Sequence, residues 1–445
     1  MIEKVLPEPA TSTLTSVQTE VGSVFVSNYP PYSFWNSGQL SEAERVLNEP
    51  PTENTLGLYL HIPFCRKRCK FCYFRVYTEK NSEEVNAYLD ALSKEVDLYS
   101  QLPSVAGRTL KFVYFGGGTP SFISANHLKA LSKRLKDSIS WNGSEEVTFE
   151  CEPGTLTEAK LAVIQEIGVT RLSLGVESFD DFVLEENGRA HRSKEIYRVM
   201  PWIRSLNFQQ LNIDLIAGMV GETWDSWRDA VQRTIDLGPD SVTIYQMELP
   251  FNTVFSNELV RGDLRIPLAN WEIKRSWHDY AFKHLANNGY VPSSAYTMVK
   301  DKNHRFVYRD SVWHGTDMIG SGVASFSHMS GVHFQNLSDW TGYMESLQSD
   351  KLPLDRAYQT SKRERLIREV ILQLKLGEIQ TQYFNDKFHT NVLEEFREPL
   401  ESMQLKGYLT VRRPDRIELT RRGLLKVDQL LPAFYDPEFR NSRYT

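Results

Sequence analysis

The sequence has little cysteine, no long apolar run and no excess of basic charge. Four cysteines in 445 residues are too few for a disulfide scaffold. No apolar run approaches the ~18–20 residues of a transmembrane helix, and the N-terminus MIEKVLPEPATSTLTS lacks the basic start and apolar stretch of a secretory signal. The net charge of −6 gives no electrostatic reason to expect nucleic acid or an anionic membrane as a partner. We therefore expect a cytoplasmic protein that binds neither.

Length and composition leave room for a large core, since 41% of the residues are hydrophobic. Between residues 57 and 250, six β-type runs alternate with helical periodicity. The runs are LGLYLHI from Gly57, LKFVYF from Leu110, EVTFEC from Glu146, RLSLGVE from Arg171, LNIDLIAG from Leu211 and SVTIYQM from Ser241. The helical stretches include Glu83–Tyr99, His127–Leu135, Glu158–Ile167 and Trp224–Leu237. This alternation predicts an α/β fold, and six units favour an open, partial (β/α)6 TIM-like barrel that binds ligands at the carboxyl ends of its strands.

The rest of the chain is divided by its changes of pattern. We predict an N-terminal segment (1–55) with a flexible lead-in and the aromatic-proline cluster YPPYSFW, the barrel (56–250), an extension that completes the active-site side (251–355) and a small C-terminal helical, winged-helix-like domain (356–445). In the extension we expect a helix over Trp271–Leu285, a loop over Asp301–Asp310 and a Gly- and Ser-rich return over His314–Phe326. In the last domain we expect helices in ERLIREVILQLKL, Val392–Leu405 and Arg422–Leu431, with strands LTVRR and RIELT forming a wing. Because no basic stripe marks a recognition helix, we interpret that domain as a cap or partner surface.

Three of the four cysteines lie within eight residues, directly after the first predicted strand. Cys65, Cys69 and Cys72 form a C-x₃-C-x₂-C triplet, and soft thiolates at this spacing can converge on one soft metal centre. Structural zinc sites close with four ligands, whereas a [4Fe–4S] cluster held by three thiolates keeps one iron open. The alternatives are free cysteines that cluster by chance and zinc with His61 as the fourth ligand. Cys151, on the third strand, is expected to be a small buried hydrophobe.

The triplet together with LYLHIPFC, YFGGGTPS, VESF and NIDLIAG resembles the radical S-adenosylmethionine (SAM) enzymes, and within them the oxygen-independent coproporphyrinogen III oxidase group. Relatives in this group include class C radical SAM methyltransferases and haem chaperones. The resemblance implies a [4Fe–4S] cluster on Cys65, Cys69 and Cys72, and SAM bound at its open iron, with the possibility of a second SAM. Reduction would release a 5′-deoxyadenosyl radical.

The resemblance also implies where SAM binds. Tyr59 and Arg189 would lie near its carboxylate, and Thr119 near its amino acid end. Glu150 would lie near its amino group or ribose, and Asp214 on the ribose. Phe71 would cover the adenine. The full set of implied cofactor-binding residues is Tyr59, Phe71, Gly117, Gly118, Thr119, Glu150, Glu177, Arg189, Asp214 and Met247. Glu177 is also the catalytic candidate. From the residues alone, Arg189 and Glu150 could be surface charges, whereas a carboxylate inside an apolar strand, such as Asp214, is costly unless it is paired.

The chain departs from the strict oxidases at three places. Glu177 replaces the family's glutamine, Phe74 stands where they carry an extra cysteine, and Ser293-Ser294-Ala295-Tyr296 replaces an aspartate–histidine pair. A tetra-carboxylate substrate needs several cations, and the candidates are Lys300, Lys302, His304, Arg305 and Arg309, which could equally be solvated. The segment YPPYSFW resembles the family's N-terminal segment that reaches into the active site.

Three functions follow as hypotheses. The first is hydrogen abstraction from a small organic substrate, a tetrapyrrole or another unsaturated compound, with oxidative decarboxylation of a porphyrinogen propionate as one form. The second is class C methylation or cyclopropanation with a second SAM, and the third is haem transport without turnover. An enzyme of this kind would take electrons from a flavodoxin- or ferredoxin-type donor.

Overall fold

The computed structural model describes residues 25–266, 268–440 and 442. The predicted flexible lead-in falls outside these residues. Within them, no helix combines the length and the apolar character needed to cross a bilayer.

Six parallel strands form the centre of the fold, and neighbours in the sheet are neighbours in sequence. They are β1 (Thr55–Ile62), β2 (Thr109–Gly117), β3 (Glu146–Cys151), β4 (Arg171–Glu177), β5 (Gln210–Ala217) and β6 (Ser241–Gln246). Each predicted β-type run forms one of these strands. The predicted α/β fold with an open, partial barrel is therefore confirmed.

Helices connect the strands and cover their outer face. They are α1 (Leu40–Asn48), which precedes β1, and then α2 (Ser82–Ser100), α3 (Ala125–Ser138), α4 (Glu158–Glu166), α5 (Asp181–Glu186), α6 (Ser193–Leu206) and α7 (Trp224–Leu237). Residues next to α7 determine where it begins and ends. Thr223 and Ser226 form a capping box at its start, and Gly238 ends it in the left-handed region at φ 60°. The four predicted helices are confirmed, whereas α5 and α6 between β4 and β5 were not predicted.

The strands have two different faces. On β1, Leu58, Leu60 and Ile62 belong to the main hydrophobic core, together with side chains of α2. Tyr59 and His61 alternate with them and lie on the inner face of the barrel. The same alternation on the other strands places polar and charged side chains inside the barrel, and that inner face carries the candidate site.

The extension after β6 widens the sheet at both edges to twelve strands, in the order β12-β11-β10-β9-β1-β2-β3-β4-β5-β6-β8-β7. Its elements are α8 (Val254–Arg261), α9 (Trp271–Asn287), β7 (Val291–Pro292), β8 (Thr297–Val299), α10 (Val307–Trp313), β9 (Met318–Ser321), β10 (Phe326–Met329), β11 (Val332–Asn336), α11 (Trp340–Gln348) and β12 (Leu354–Gln359). Strand β9 pairs in parallel with β1, so the predicted Gly- and Ser-rich return runs along the edge of the barrel.

The predicted loop Asp301–Asp310 is partly wrong, because the chain is helical from Val307. The backbone amides of Val307 and Tyr308 donate to the Glu146 carboxylate at 2.9 and 3.1 Å. This carboxylate caps the start of α10 from about 160 residues away in sequence, which no local pattern indicates.

The C-terminal region combines helices with a three-stranded antiparallel sheet in the order β13-β15-β14. Its elements are α12 (Lys362–Leu374), β13 (Glu378–Gln380), α13 (Thr381–Phe388), α14 (Val392–Glu395), α15 (Arg397–Leu405), β14 (Leu409–Arg412), β15 (Arg416–Leu419), α16 (Arg421–Leu424) and α17 (Val427–Leu430). Elements β13 and α13 were not predicted. The predicted helix Val392–Leu405 is interrupted at Phe396, where φ is −112° and ψ is 35°, and the predicted helix Arg422–Leu431 is two short helices.

The N-terminal segment packs against this C-terminal region. Val26 and Tyr29 belong to its hydrophobic core, and the Tyr29 ring lies 5.0 Å from Tyr435 and 5.3 Å from Phe439. The division of the chain into four stretches at residues 55, 250 and 355 stays a prediction.

Candidate functional site

The cysteine loop follows β1 and is held by backbone hydrogen bonds on two sides. The Cys65 amide donates to the Tyr77 carbonyl at 3.1 Å, and the Tyr77 amide donates to the Pro63 carbonyl at 2.7 Å. On the other side, the Lys70 amide donates to the Asn187 carbonyl at 3.1 Å. The loop is therefore fixed at the carboxyl end of the barrel.

All three thiols of the loop are half-buried. The Thr119 hydroxyl donates to the Cys65 sulfur at 3.3 Å, and the Arg189 guanidinium donates to the Cys69 sulfur at 3.5 Å. Burial raises the pKa of Cys65 to about 11 and that of Cys72 to about 12, and the nearby Cys69 sulfur adds to both increases. Three thiols on one loop, two of which accept a hydrogen bond at the sulfur, are chemically suited to a soft metal centre.

The geometry bears on which metal centre fits. Zinc–sulfur bonds of ~2.3 Å would require the thiols to lie within about 4 Å of one another. In residues 25–266, 268–440 and 442, no three His, Cys, Asp or Glu side chains come close enough together to hold one metal ion. A four-iron cube is larger and holds its thiolates farther apart. Among the described residues, the thiols therefore do not form a ready-made site for one metal ion.

The glycine run at the end of β2 allows this strand to approach the start of the cysteine loop. A side chain at Gly118 would lie 2.9 Å from the carbonyl oxygens of Ile62 and Phe64. The Gly118 and Thr119 amides donate to those two carbonyls at 2.8 Å. These amides thus anchor the loop, and a ligand at this strand end is left with the carbonyl groups and the Thr119 hydroxyl.

Three carboxylates lie on the inner face beside the loop. Burial raises the pKa of Glu150 and of Glu177 to about 7, and the nearby Asp214 charge adds to both. Burial also raises the pKa of Asp214. Tyr114 donates to Glu150 at 2.6 Å, while Asp214 accepts from side chains of β4 and β5. Buried carboxylates that raise one another's pKa fit a ligand that brings positive charge, as SAM does with its sulfonium and ammonium groups.

Glu177 is held in an uncommon backbone conformation. Its φ is 64°, in the left-handed region that non-glycine residues seldom adopt. The pairing of β4 with β5 shifts register between Gly175 and Glu177, so the strand bulges there. A strained residue at a strand end costs on the order of 1–3 kcal/mol, and this bulge turns the Glu177 side chain toward Arg189.

Arg189 links the cysteine loop to the carboxylates. Besides its bond to Cys69, it donates to the Gly175 carbonyl at 2.8 Å and lies 3.7 Å from the Glu177 carboxylate. Its Nε is buried and has no hydrogen-bond partner among the described residues. An unpartnered donor in a buried guanidinium fits an additional anionic ligand group.

A small apolar cluster lies at the carboxyl ends of β5 and β6. Met247, Ile216, Met219 and Val183 are buried there, and Phe71 of the cysteine loop packs against them. The structure thus brings together Phe71 and Met247, two residues predicted to bind the cofactor. Their surroundings suit a flat, apolar group such as adenine.

Tyr59 lies on β1 among aromatic side chains of the inner face. Its hydroxyl is 3.3 Å from His61 Nδ1, and its ring stacks on Tyr114 at 5.7 Å, with Tyr308 at 6.4 Å. Tyr114 and Tyr308 were not predicted as site residues. The position of Tyr114 two residues before the glycine run, on the inward alternation of β2, was the signal that could have identified it.

Glu152 and His191 also escaped the sequence analysis. Glu152 accepts from Arg66 of the cysteine loop at 3.2 Å, and His191 Nδ1 lies 3.1 Å from the same carboxylate. His191 and the Arg66 and Arg189 charges hold the pKa of Glu152 below its usual value, although burial opposes them. This group fixes one side of the loop.

The predicted cationic loop lies at the other end of the barrel. Lys300 donates to the carbonyl of Gly238 at 2.9 Å, and the carbonyl of Arg305 accepts from Gln210 at 3.1 Å. Gly238 and Gln210 mark the amino ends of β6 and β5. Arg309 is buried and paired with Asp310 at 2.7 Å. This loop is therefore not a neighbour of the cysteine loop.

The N-terminal aromatic cluster borders the inside of the barrel. The Tyr32 ring lies 4.4 Å from Phe326. Burial raises the pKa of Tyr73 and of Tyr308, and the Tyr32 phenol is near enough to add to both increases. Tyr73 directly follows Cys72, so this segment faces the same space as the cysteine loop.

The segment 293–296 packs against the C-terminal region. Lys375 donates to Asp428 at 2.9 Å, and Tyr296 donates to the same carboxylate. Ala295 donates its amide to the Lys375 carbonyl at 2.7 Å. The buried Lys375 cation is thus already neutralised.

The chain is similar to known proteins over most of its length. Residues 59–234 match the Radical SAM superfamily. The chain is 27% identical over 370 residues to the heme chaperone HemW of Lactococcus lactis, covering 82% of this chain and 93% of the relative. It is 25% identical over 435 residues to the oxygen-independent coproporphyrinogen III oxidase of Synechocystis, covering 92% of this chain and 91% of the relative. The structure of coproporphyrinogen III oxidase (HemN) from Escherichia coli superimposes with a TM-score of 0.79 at 22% identity, covering 92% of this chain and 96% of that one, so the two share a fold. The predicted resemblance is confirmed: residues 59–234 match the Radical SAM model, and the chain is similar to oxygen-independent coproporphyrinogen III oxidases and to HemW proteins.

Proposed function

We propose that this chain, whose radical SAM domain places it beside HemN and HemW, is an enzyme that binds a [4Fe–4S] cluster through Cys65, Cys69 and Cys72 and uses SAM to abstract hydrogen from a small organic substrate. One observation carries the proposal. Arg189 contacts a cysteine sulfur on one side and the Glu177 carboxylate on the other, so a cluster on the loop would lie directly beside a pocket that fits a cationic nucleoside.

In this proposal each group of SAM binds to different residues of the pocket. The unpartnered Nε of Arg189 takes the carboxylate, Glu150 and the Thr119 hydroxyl take the amino group, and Asp214 takes the ribose. Phe71 and Met247 cover the adenine. Gly117, Gly118 and Tyr59 position these groups from β1 and β2.

When bound, the cluster and SAM would supply one-electron reduction of a sulfonium and a carbon-centred radical. The protein's own task is to orient SAM and to exclude water. Because the pKa of Glu177 is raised to about 7 by burial, its carboxyl can hold a proton at neutral pH, and we assign it the role of a proton donor or acceptor next to the reacting groups.

The substrate side is lined by phenols and carboxylates. Tyr245 is 42% exposed near the carboxyl end of β6, and Asp214, Glu150 and Glu177 are among its charged neighbours. The nearby cations are engaged, since Lys375 pairs with Asp428 and Lys274 donates to the Met247 carbonyl at 2.7 Å. These pairings favour a substrate with less negative charge than a tetra-carboxylate, and for that reason class C methyl or methylene transfer with a second SAM is the second candidate beside propionate decarboxylation.

Anaerobic reconstitution tests the proposal. We expect a brown protein with four irons per chain that forms 5′-deoxyadenosine from SAM when dithionite is added. Incubation with porphyrinogens and with uncharged unsaturated compounds then distinguishes the reactions by product mass. Carbon dioxide release identifies decarboxylation, whereas S-adenosylhomocysteine identifies methyl transfer. A colourless, iron-poor protein without affinity for SAM contradicts the proposal.

The relatives named as heme chaperones supply the non-enzymatic alternative. Haem binding is measured by the absorbance change on titration, in parallel with 5′-deoxyadenosine formation. Tight haem binding, with no SAM cleavage under any reductant, would show that the protein is a haem carrier and not an enzyme. We place either function in the cytoplasm.

A further inference from the structure

A basic cleft borders the cysteine loop on the outside of the barrel. Its volume is about 540 Å³. Six of its nine lining residues are cations and one is a carboxylate: Arg66, Lys67, Arg189, Arg192, Lys194 and Arg198, with Glu195. The chain as a whole carries a net charge of −6. The charge of this surface is therefore opposite in sign to that of the whole chain.

The cleft reaches the cluster ligands directly. Arg66 and Lys67 follow Cys65 in the loop, and Arg189, which lines the inner wall, donates to the Cys69 sulfur at 3.5 Å. A molecule seated in the cleft would therefore contact the residues that hold the cluster. Electron transfer falls steeply with distance, so this is the kind of approach that an electron donor requires.

The cations of the cleft are held in place yet remain accessible. Arg66 pairs with Glu152 at 3.2 Å while 40% of its side chain stays exposed, and Arg192 pairs with Glu185 at 3.2 Å. The Lys194 side chain is 80% exposed. Fixed arginines with exposed faces bind carboxylates at a low entropic cost.

The cleft also lies apart from the proposed substrate side. Gly154 follows β3, and Ala190 to Arg198 include the end of the connection from α5 and the first turns of α6. Tyr245 and Met247 lie instead on and just after β6, two strands farther along the sheet. A donor in the cleft would leave the substrate side open, so both could be bound during one turnover.

We propose that this cleft docks a small acidic electron-carrier protein that reduces the cluster, which rests on the function proposed above. The carrier is oxidised by one electron and the cluster is reduced by one electron, and no bond forms or breaks at the interface. Charge complementarity between an acidic carrier and the six cations steers the encounter and accounts for the local reversal of charge.

The test compares two double charge reversals on one face of a helix. Lys194→Glu with Arg198→Glu lowers the charge of the cleft by four units, because two positive charges are lost and two negative charges are gained. Both side chains are exposed on α6. Lys129→Glu with Lys133→Glu makes the same change at the same spacing on α3, away from the cleft. Reconstituted wild type and both variants are assayed for 5′-deoxyadenosine with a reduced flavodoxin and, separately, with dithionite.

We expect the cleft variant to lose about tenfold or more of its flavodoxin-driven rate at low salt, and to keep its dithionite-driven rate and iron content. The control variant should keep all three, and added salt should reduce the difference between wild type and the cleft variant. Equal flavodoxin-driven rates in the two variants would overturn the docking proposal.

A binding measurement tests the docking proposal independently of the proposed enzymatic function. The affinity of the same flavodoxin for each variant is measured by calorimetry without SAM, so a chain that cleaves no SAM still answers the question. A weaker affinity in the cleft variant alone supports docking, and an unchanged affinity contradicts it.

Discussion

The two ends of the barrel treat buried charge differently. At the amino end, the Glu146 carboxylate accepts the amides of Val307 and Tyr308 and the hydroxyl of Thr148 at 3.0 Å, so the protein satisfies it from within. At the carboxyl end, Glu150 and Asp214 also accept hydrogen bonds from side chains of the barrel, but three carboxylates lie close together there, and among the described residues one ion pair, Arg189 with Glu177, joins them. Because a buried charge needs a partner, we expect the amino end to act as a structural plug and the carboxyl end to be completed by a ligand.

Removing a thiol of the cysteine loop should have the largest effect on the carboxyl end of the barrel. Cys65→Ala, Cys69→Ala and Cys72→Ala should each abolish SAM cleavage, because two thiolates cannot hold the cluster. Iron content and 5′-deoxyadenosine are the measurements. Cys151→Ala is the matched control, since Cys151 is buried on β3, and its iron content should be unchanged. Equal iron in all four variants would contradict the assignment of ligands.

Removing the excess charge at the carboxyl end should change how stability depends on pH. Burial raises the pKa of Glu177 from 4.5 to about 7, so the folded state holds this proton more tightly than the unfolded state. Its contribution to stability is fully present below about pH 4.5 and is lost as the pH rises to 7. Wild type without SAM should therefore lose up to about 3 kcal/mol from this group between pH 5 and 8.

Glu177→Gln should remove that loss, so its free energy of unfolding in urea should fall less over the same pH interval. Glu166→Gln, at an exposed site on α4, is the control and should follow wild type. Parallel pH profiles for wild type and Glu177→Gln would show that the carboxyl is not destabilised.

Breaking the plug at the amino end should affect stability and leave the chemistry intact. Glu146→Ala leaves two buried amides at the start of α10 without their acceptor, which costs about 1–3 kcal/mol. Urea unfolding measures the loss, and iron content per folded chain should stay at the wild-type value. A loss of iron with no loss of stability would mean that the two ends are coupled.

The smallest effect is expected for the exposed cations near the plug. Lys302→Ala and Arg305→Ala are surface changes and should shift the free energy of unfolding by no more than about 0.5 kcal/mol. SAM cleavage and substrate affinity should not change. A large loss of substrate affinity would indicate that the substrate binds at the amino end, and would contradict the structural role given to that end.

Local patterns predicted the elements and the motifs that lie next to them in sequence. Short β-type runs between helical stretches identified all six strands, and the C-x₃-C-x₂-C spacing identified the cysteine loop as a unit. Contacts between distant segments were not predictable in the same way. Tyr308 and Glu152 reach the site through α10 and β3, and neither belongs to a motif that marks it.

The sequence by itself determined the α/β alternation and which strand ends carry thiols, glycines and carboxylates, because these depend on neighbours a few residues apart. Only the tertiary structure decided that Arg189 joins a sulfur to a carboxylate, that the cations of residues 300–309 lie at the far end of the barrel, and that six other cations meet beside the cysteine loop. The physical reason is that charges act through space, and the strand order of a sheet brings together side chains that are more than a hundred residues apart.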